Sequence, residues 1–304
     1  MTVSFELKKY LHRRAALVDA ALGRFMTKKS VLPPVVHKAM RYSVFAGGKR
    51  LRPILCLAAA EAAGGDPRRV LLTACALEII HTYSLVHDDL PAMDDDDLRR
   101  GRPTNHRVFG EGIAILAGDG LLSFGFELMA RNAAVKGVRP DRVVRAIETV
   151  ARAVGSRGMV GGQAVDLESE GSAVSLNGRS PRVLEFIHRR KTGALITASL
   201  SAGAILIGAS DARLAALELY GENIGLAFQI TDDVLDVVGD KALLGKRGSD
   251  AANAKLTFPA VYGLDDSQRR ARRAIESAKA ALAPFGRRGE PLAALANHIL
   301  TREK

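Results

Sequence analysis

The stretches HDDLPAMD (residues 87–94) and DDVLD (residues 232–236) decide how this chain is interpreted, because each places aspartates in an otherwise apolar segment with helical periodicity. Asp232 and Asp236 are four residues apart, so in a helix they lie on one face, one turn from each other. Carboxylates this close repel each other, and a folded chain keeps them together only where a cation lies between them. The spacing therefore predicts a cation-binding face on a helix.

The first stretch is a looser version of the same arrangement. Asp88 and Asp89 end a predicted helix, and Pro91 bends the chain before Asp94. Oxygen ligands with several bound waters suit Mg²⁺, which at such sites usually also binds substrate phosphates. Two stretches of this kind predict two walls around one diphosphate group. The alternative is a pair of solvated acidic helix ends.

The composition favours helices over strands. The 304 residues are 47% hydrophobic but only 5% aromatic, and tryptophan is absent. Helical periodicity runs through most of the chain, and no segment alternates convincingly with a period of two. We predict an all-α fold and a single domain over residues 1–304, without a linker. The predicted helices span residues 2–27, 33–46, 54–63, 68–90, 112–135, 140–157, 181–209 and 211–239, and the predicted loops include 95–107 and 167–180.

The net charge of +11 restricts the partners of the chain. An excess of this size is typical of proteins that bind nucleic acid, anionic surfaces or small polyanionic substrates. No zinc-ligand spacing, helix-turn-helix pattern or basic patch interleaved with aromatic residues supports nucleic acid. We therefore expect small polyanionic substrates and no nucleic acid.

Cysteine usage and hydropathy indicate a cytoplasmic protein without a membrane span. Cys56 and Cys75 lie among apolar neighbours and are predicted to be core residues in a reducing compartment. Residues 1–14 are charged and lack the apolar stretch of a signal peptide. The apolar run at residues 194–209 is too short and too polar to cross a bilayer, so we expect a buried helix there.

Two basic segments complement the acidic ones. In GGKRLRP (47–53), Lys49 and Arg52 are three residues apart at a predicted helix start, where free backbone amides and the helix dipole favour an anion. Ammonium and guanidinium groups suit phosphate oxygens. The alternative is an ordinary basic helix cap. In DLRRGRP (97–103) the arginines follow the first acidic stretch directly, which makes anion binding the favoured interpretation.

These elements together resemble the short-chain trans-prenyl diphosphate synthases, and the chain is most similar to bacterial farnesyl diphosphate synthases. The matching segments occur in the order of that family and span nearly the whole chain: GGKRLRP (47–53), HDDLPAMDDDDLRRG (87–101), KTG (191–193), FQITDDVLD (228–236), LGK (244–246) and a lysine at 255 shortly before Thr-Phe-Pro.

The resemblance implies a bundle of long helices around a deep cavity, usually a homodimer, which condenses isopentenyl diphosphate with allylic diphosphates. It implies three Mg²⁺ ions per site. By motif match, the ions would be held by Asp88, Asp94 and Asp232, with Asp89, Asp233 and Asp236 in support.

The resemblance also assigns the substrate groups. The allylic diphosphate would be held by Arg99, Lys191 and Lys246; isopentenyl diphosphate by Lys49, Arg52, His81 and Arg100; and Thr192 and Gln229 would place oxygens near the reacting carbons, with Lys255 as a further substrate ligand. His81 lies seven residues before Asp88, so both face one cavity if they share a helix. The alternative for His81 is a core histidine.

Product length is expected to depend on Tyr83 and Ser84, which precede Asp88 by five and four residues on the same predicted helix. A phenol ring about 7.5 Å below Asp88 would stop a growing chain at C15. We therefore expect farnesyl diphosphate as the product, with a geranylgeranyl (C20) or geranyl (C10) synthase as the alternative. Tyr83 as ordinary core packing is the other interpretation of that residue.

Three further classes fit less well. A non-catalytic partner subunit would lack one acidic stretch or the basic ligands, and both are intact here. A terpene cyclase would not need GGKRLRP and His81. A nucleic-acid binder would show no Mg²⁺-dependent turnover. The chain departs from the family pattern at Ala254, where relatives often have glycine before the lysine at 255. Its end (301–304) resembles the basic tail that related enzymes use in closing the site, and the alternative is a frayed end.

Overall fold

The computed structural model describes residues 5–169, 180–238 and 256–301, and most of these residues are helical, as predicted. Lys246, Lys255 and most of the C-terminal tail lie outside the described residues. In chain order the α-helices are α1 (Leu7–Phe25), α2 (Pro34–Val44), α3 (Leu51–Ala62), α4 (Leu71–Asp88), α5 (Asn105–Phe109), α6 (Glu111–Arg131), α7 (Pro140–Val154), α8 (Met159–Ser169), α9 (Ser180–Ile187), α10 (Ala194–Ile207), α11 (Asp211–Val238), α12 (Phe258–Tyr262), α13 (Leu264–Ala281) and α14 (Glu290–Thr301).

Helices α3, α4 and α10 form the centre of the bundle. They are apolar on nearly every face, which is typical of helices surrounded by other helices. Helix α4 packs mainly against α6 and α3, and α10 packs against α3, α7 and α11. The run at 194–209 is thus the buried helix that the sequence predicts, and Cys56 and Cys75 are buried free thiols.

Two helical stretches, Pro67–Asp88 and Glu111–Ala134, are long and apolar enough by composition to cross a membrane. Core helices of a bundle meet the same criterion, and 67% of the first stretch is buried against other helices. Only 39% of the second is buried. The exposed apolar side chains of α6 include Ile115 and Leu116, at 44% and 52% exposure.

Most predicted helices are confirmed with small changes at their ends. The predicted loop at 167–180 was wrong at its start, because α8 continues to Ser169. The predicted loop at 95–107 contains a two-residue antiparallel pair, β1 (Leu98–Arg99) with β2 (Arg102–Pro103), and the short helix α5. Strands of two residues are too short to show alternation.

The predicted helix at 181–209 is interrupted by a π-helical segment, His188–Gly193, between α9 and α10. Two glycines lie against it. A Cβ atom at Gly225 of α11 would be 2.9 Å from Cα of Gly193, and one at Gly162 of α8 would clash with the backbone nitrogen of Lys191. Single π-helical turns inside α-helices often mark functional sites.

A buried ion pair fixes the turn that precedes α3. Arg50 has a left-handed backbone conformation (φ 50°) and is 4% exposed. Its Nη1 donates to Oε1 of Glu78 on α4 at 2.9 Å, its Nε to Oδ1 of Asp19 on α1 at 2.8 Å, and its Nη2 to the carbonyl oxygen of Val44 at 2.9 Å. One side chain therefore joins α1, α2 and α4 to this turn.

We predict that Glu78→Ala lowers the free energy of unfolding by about 3–5 kcal/mol, because it leaves the Arg50 charge buried without its main partner. Glu148→Ala is the matched control. It removes a pair with Arg152 in which both side chains are more than 60% exposed, and should cost less than about 1 kcal/mol. Denaturant unfolding of both variants measures the difference. Equal losses would contradict a structural role for the Arg50–Glu78 pair.

Candidate active site

A cavity of about 780 Å³ lies between α4, α8, the π-helical segment and α11. Both acidic stretches line it, so the prediction of two walls around one space is consistent with the structure. The predicted residues that line this cavity are Arg52, His81, Tyr83, Ser84, Asp88, Asp94, Arg99, Lys191, Thr192, Gln229, Asp232, Asp233 and Asp236.

The first acidic wall is built at the C-terminal end of α4. The chain turns back after Pro91, and the backbone N–H of Asp94 donates to the carbonyl oxygen of Asp88 at 2.8 Å. This turn brings the two aspartates together. Burial raises the pKa of the Asp88 carboxyl to about 6, which Lys191 opposes and Asp94 reinforces.

Asp89 does not line this cavity, and its predicted supporting role in the metal site stays a prediction. It is 3% exposed, and its Oδ1 accepts from Nε of Arg99 at 2.5 Å. Burial raises the pKa of Asp89 to about 6, and Arg99 opposes that rise. Asp89 therefore holds Arg99 at the cavity wall, where Arg99 also donates to Asp96 at 3.3 Å.

Lys49 and Arg100 lie outside the lining of this cavity, and their predicted role in binding isopentenyl diphosphate stays a prediction. The charge of Arg100 nevertheless acts on both Arg52 and His81. Lys49 is exposed. Arg100 is exposed and donates through Nη1 to the carbonyl oxygen of Gly47, so it holds the turn before α3. Its position beside Gly48 leaves no room for a Cβ atom there.

The basic wall consists of Arg52 and His81. Burial lowers the pKa of Arg52 to about 10, with Glu78 opposing and Arg100 adding to the shift. The Nε atom of Arg52 is buried without a hydrogen-bond partner, a costly arrangement that a bound anion would relieve. Burial, then Arg52 and Arg100, hold the pKa of His81 well below its usual value, so its imidazole is neutral at pH 7.

The π-helical segment supplies Lys191 and Thr192. Nζ of Lys191 donates to Oδ2 of Asp166 on α8 at 2.6 Å. Sequence reasoning missed Asp166 and Gln163, which both line the cavity. They are three residues apart on one face of α8, a spacing that could have indicated them. Gln163 is 9% exposed, and both amide atoms lack a hydrogen-bond partner, so this polar group is available to a ligand.

The second acidic wall lies at the end of α11. Asp232 and Asp236 line the cavity one turn apart. Asp233 is buried, and its Oδ2 accepts from the backbone N–H of Phe258 at 2.8 Å and lies 3.3 Å from Nε2 of His188. Its carboxylate thus ties the backbone at Phe258 to α11 while Asp233 also lines the cavity, and its predicted support of a metal stays a prediction.

The donor set fits Mg²⁺ bound jointly with a diphosphate. Within residues 5–169, 180–238 and 256–301, no three histidine, cysteine or acidic side chains converge as a closed metal cage. Mg²⁺ keeps several waters and is held by one or two carboxylates plus substrate phosphates. Separate carboxylates on two walls of one cavity that Lys191 and Arg99 also line match that chemistry.

An all-α bundle around a cavity with two aspartate-rich walls is the architecture expected of prenyl diphosphate synthases. The Polyprenyl synthetase family profile matches residues 33–283. A dimethylallyltranstransferase from Fischerella ambigua (strain UTEX 1903) is 50% identical over 98% of this chain and 84% of its own length. The large subunit 1 of a heterodimeric geranylgeranyl pyrophosphate synthase from Arabidopsis thaliana is 48% identical over 99% and 80%, respectively.

A farnesyl diphosphate synthase from Geobacillus stearothermophilus is 44% identical over 98% of both chains. Among solved structures, an FPP/GFPP synthase from Zymomonas mobilis superimposes with a TM-score of 0.86 at 35% identity, covering 96% of this chain and 98% of its own. The chain belongs to the polyprenyl synthetase family, and it is a prenyltransferase.

We predict that Gly162→Ala reduces turnover by about 100-fold. The added Cβ atom would push the backbone of Lys191 away from α8, and the Lys191 side chain would then be misplaced in the cavity. It should also destabilise the fold by about 1–3 kcal/mol. Gly23→Ala is the control, since a Cβ there meets nothing within 4 Å; turnover should be unchanged and stability equal or higher. Steady-state kinetics and thermal unfolding provide the comparison, and full activity of Gly162→Ala would refute this packing argument.

Proposed function

We propose that this prenyltransferase condenses isopentenyl diphosphate head-to-tail with dimethylallyl and then geranyl diphosphate to make farnesyl diphosphate. The observation that carries the proposal is one cavity with two acidic walls and a separate basic wall at Arg52 and His81. Two diphosphates need two anion sites, and only one of them needs metal-binding carboxylates. The names of the relatives support the same reaction class.

The allylic diphosphate would lie between the acidic walls. Asp88, Asp94, Asp232 and Asp236 would hold Mg²⁺, three ions by family resemblance, which when bound neutralises charge on the leaving diphosphate. Lys191 and Arg99 would donate to its oxygens as the bond from C1 to oxygen breaks. Asp166 and Asp89 hold these two cations in place through their ion pairs.

Isopentenyl diphosphate would be held by Arg52 and neutral His81. Its double bond then attacks C1 of the allylic cation, forming a carbon–carbon bond, and a proton leaves the adduct for the departed diphosphate. Thr192 and Gln229 line the cavity, where their oxygens would stabilise the cationic carbons. Apolar side chains exclude water that would quench the cation; they include Met159, Val160, Leu167, Ile187 and Phe228.

Tyr83 supports a C15 product. It lines the cavity but is only 7% exposed, and it lies five residues deeper in α4 than Asp88. Ser84 lines the same wall and donates through Oγ to the carbonyl oxygen of His81 at 2.9 Å. A geranylgeranyl synthase is the second candidate, favoured by the 48% identity to the plant subunit.

We also propose a cytoplasmic homodimer of single-domain subunits that binds neither nucleic acid nor a membrane. The exposed apolar side chains of α6, Ile115 and Leu116, support self-association through that helix. The polyanionic substrates account for the positive charge of the chain.

Incubation with isopentenyl and dimethylallyl diphosphates tests the function directly. We expect a C15 diphosphate as the main product with Mg²⁺ and no turnover after chelation. Asp232→Ala should fall to background while keeping its fold, and Asp211→Ala, an exposed aspartate in the first turn of the same helix, should retain full activity. Chromatography of the products measures chain length. A mainly C20 product would favour the second candidate, and no elongation would reject both.

The two anion sites should separate kinetically. We predict that Arg52→Ala raises the KM for isopentenyl diphosphate by about 10- to 100-fold, because that is the loss of affinity expected when one charge-assisted hydrogen bond is removed. The KM for the allylic substrate should change less. Lys191→Ala should impair mainly the allylic substrate or the chemical step. Arg68→Ala and Lys279→Ala are the surface controls. Identical changes for both substrates in both variants would reject separate sites.

A further inference from the structure

His87 lies at the end of α4, one turn after Tyr83, and sequence reasoning gave it no role. Side chains in a helix lean toward its N-terminus, so the His87 ring covers the turn that carries Tyr83. The two rings meet edge to face, with centroids 5.7 Å apart and planes at 90°. Both residues line the cavity.

The neighbouring helix α6 fixes the imidazole. Nε2 of His87 lies 3.0 Å from the carbonyl oxygen of Ile115. A carbonyl oxygen only accepts hydrogen bonds, so Nε2 carries the proton and donates. The ring is thereby held in one orientation between α4 and α6, and its edge contact with Tyr83 is fixed with it.

Gly118 provides the space for this arrangement. A Cβ atom at Gly118 would clash with Nε2 and Cδ2 of His87. Any side chain at 118 would therefore displace the imidazole from the position in which it contacts the Ile115 carbonyl. The ring contact, the hydrogen bond and the glycine are three separate observations, and all of them fix the side chain beside Tyr83.

We propose that His87 is a positioning residue for product length. The Ile115 carbonyl holds its imidazole, and Gly118 leaves the space for it. In this position the imidazole fixes the Tyr83 phenol across the cavity, where the growing chain would pass. The inference rests on the proposed function and deepens it. Tyr83 blocks the chain, and His87 acts only through Tyr83.

The proposal predicts a change in product ratio at maintained turnover. Without the edge contact the phenol can rotate aside, so His87→Ala should raise the C20:C15 ratio by about two- to tenfold, the range expected from an aromatic pair of this kind. Tyr83→Ala should raise it further. The double variant should match Tyr83→Ala, because His87 has nothing left to position.

The experiment measures product lengths and total isopentenyl incorporation for the wild type, both single variants and the double variant. Gly118→Ala displaces the His87 ring without removing it, so it should also raise the ratio, and it replaces His87→Ala if that variant fails to fold. Asp119→Asn is the control. Its carboxylate lies 3.9 Å from Nε2 of His87 but is 62% exposed, and the Ile115 bond survives, so its ratio should equal that of the wild type.

The outcomes separate the two proposals. A wild type without elongation would reject the proposed function. A wild type that elongates, with an unchanged ratio in a folded His87→Ala or Gly118→Ala variant, would overturn the role of His87 and leave the function standing. A double variant whose ratio is the product of the two single changes would show that His87 does not act through Tyr83.

Discussion

The ion pair between Arg50 and Glu78 is the constraint on which the geometry of the basic wall depends. Glu78 lies one turn before His81 on α4, and its charge partly offsets the burial that lowers the pKa of Arg52 and of Arg100. Without Glu78, the guanidinium groups of Arg50, Arg52 and Arg100 would lie in one partly buried region without their shared counter-charge. Burying such a pair is costly and adds little net stability, but it fixes which turn of α4 faces the basic segment.

The same principle governs the acidic walls, where several carboxylates hold other groups. Asp89 positions Arg99, Asp166 positions Lys191, and Asp233 binds the backbone at Phe258. An arginine or lysine side chain that is already ion-paired with an aspartate has lost its rotamer freedom before a substrate binds, so less conformational entropy is lost on binding. The cavity is therefore preorganised for anions by residues that do not all contact them.

Much of the fold and of the site could be predicted from the sequence, and the errors have physical causes. The helical pattern and the two acidic stretches sufficed to predict one cavity with two walls. Consecutive residues of a helix point about 100° apart, so Asp88 faces this cavity while Asp89 faces Arg99. The same rotation distinguishes Asp232 from Asp233: both line the cavity, but the Asp233 carboxylate also accepts from the backbone N–H of Phe258. The motif match likewise gave Asp88 and Asp232 the leading roles and Asp89 and Asp233 supporting ones.

The remaining features depend on contacts between segments far apart in sequence, which no local pattern reports. The π-helical segment requires other backbones to approach it closely at Gly162 and Gly225, whereas at Gly118 the side chain of His87 packs directly against the backbone of α6. In each case the missing Cβ atom leaves room for a neighbouring group: the backbone of Lys191, the backbone of Gly193 or the His87 ring. Glycines inside helices cost stability, so these three are explained by the close contacts they allow behind Lys191, Thr192 and His87, which line the cavity, rather than by the helices themselves.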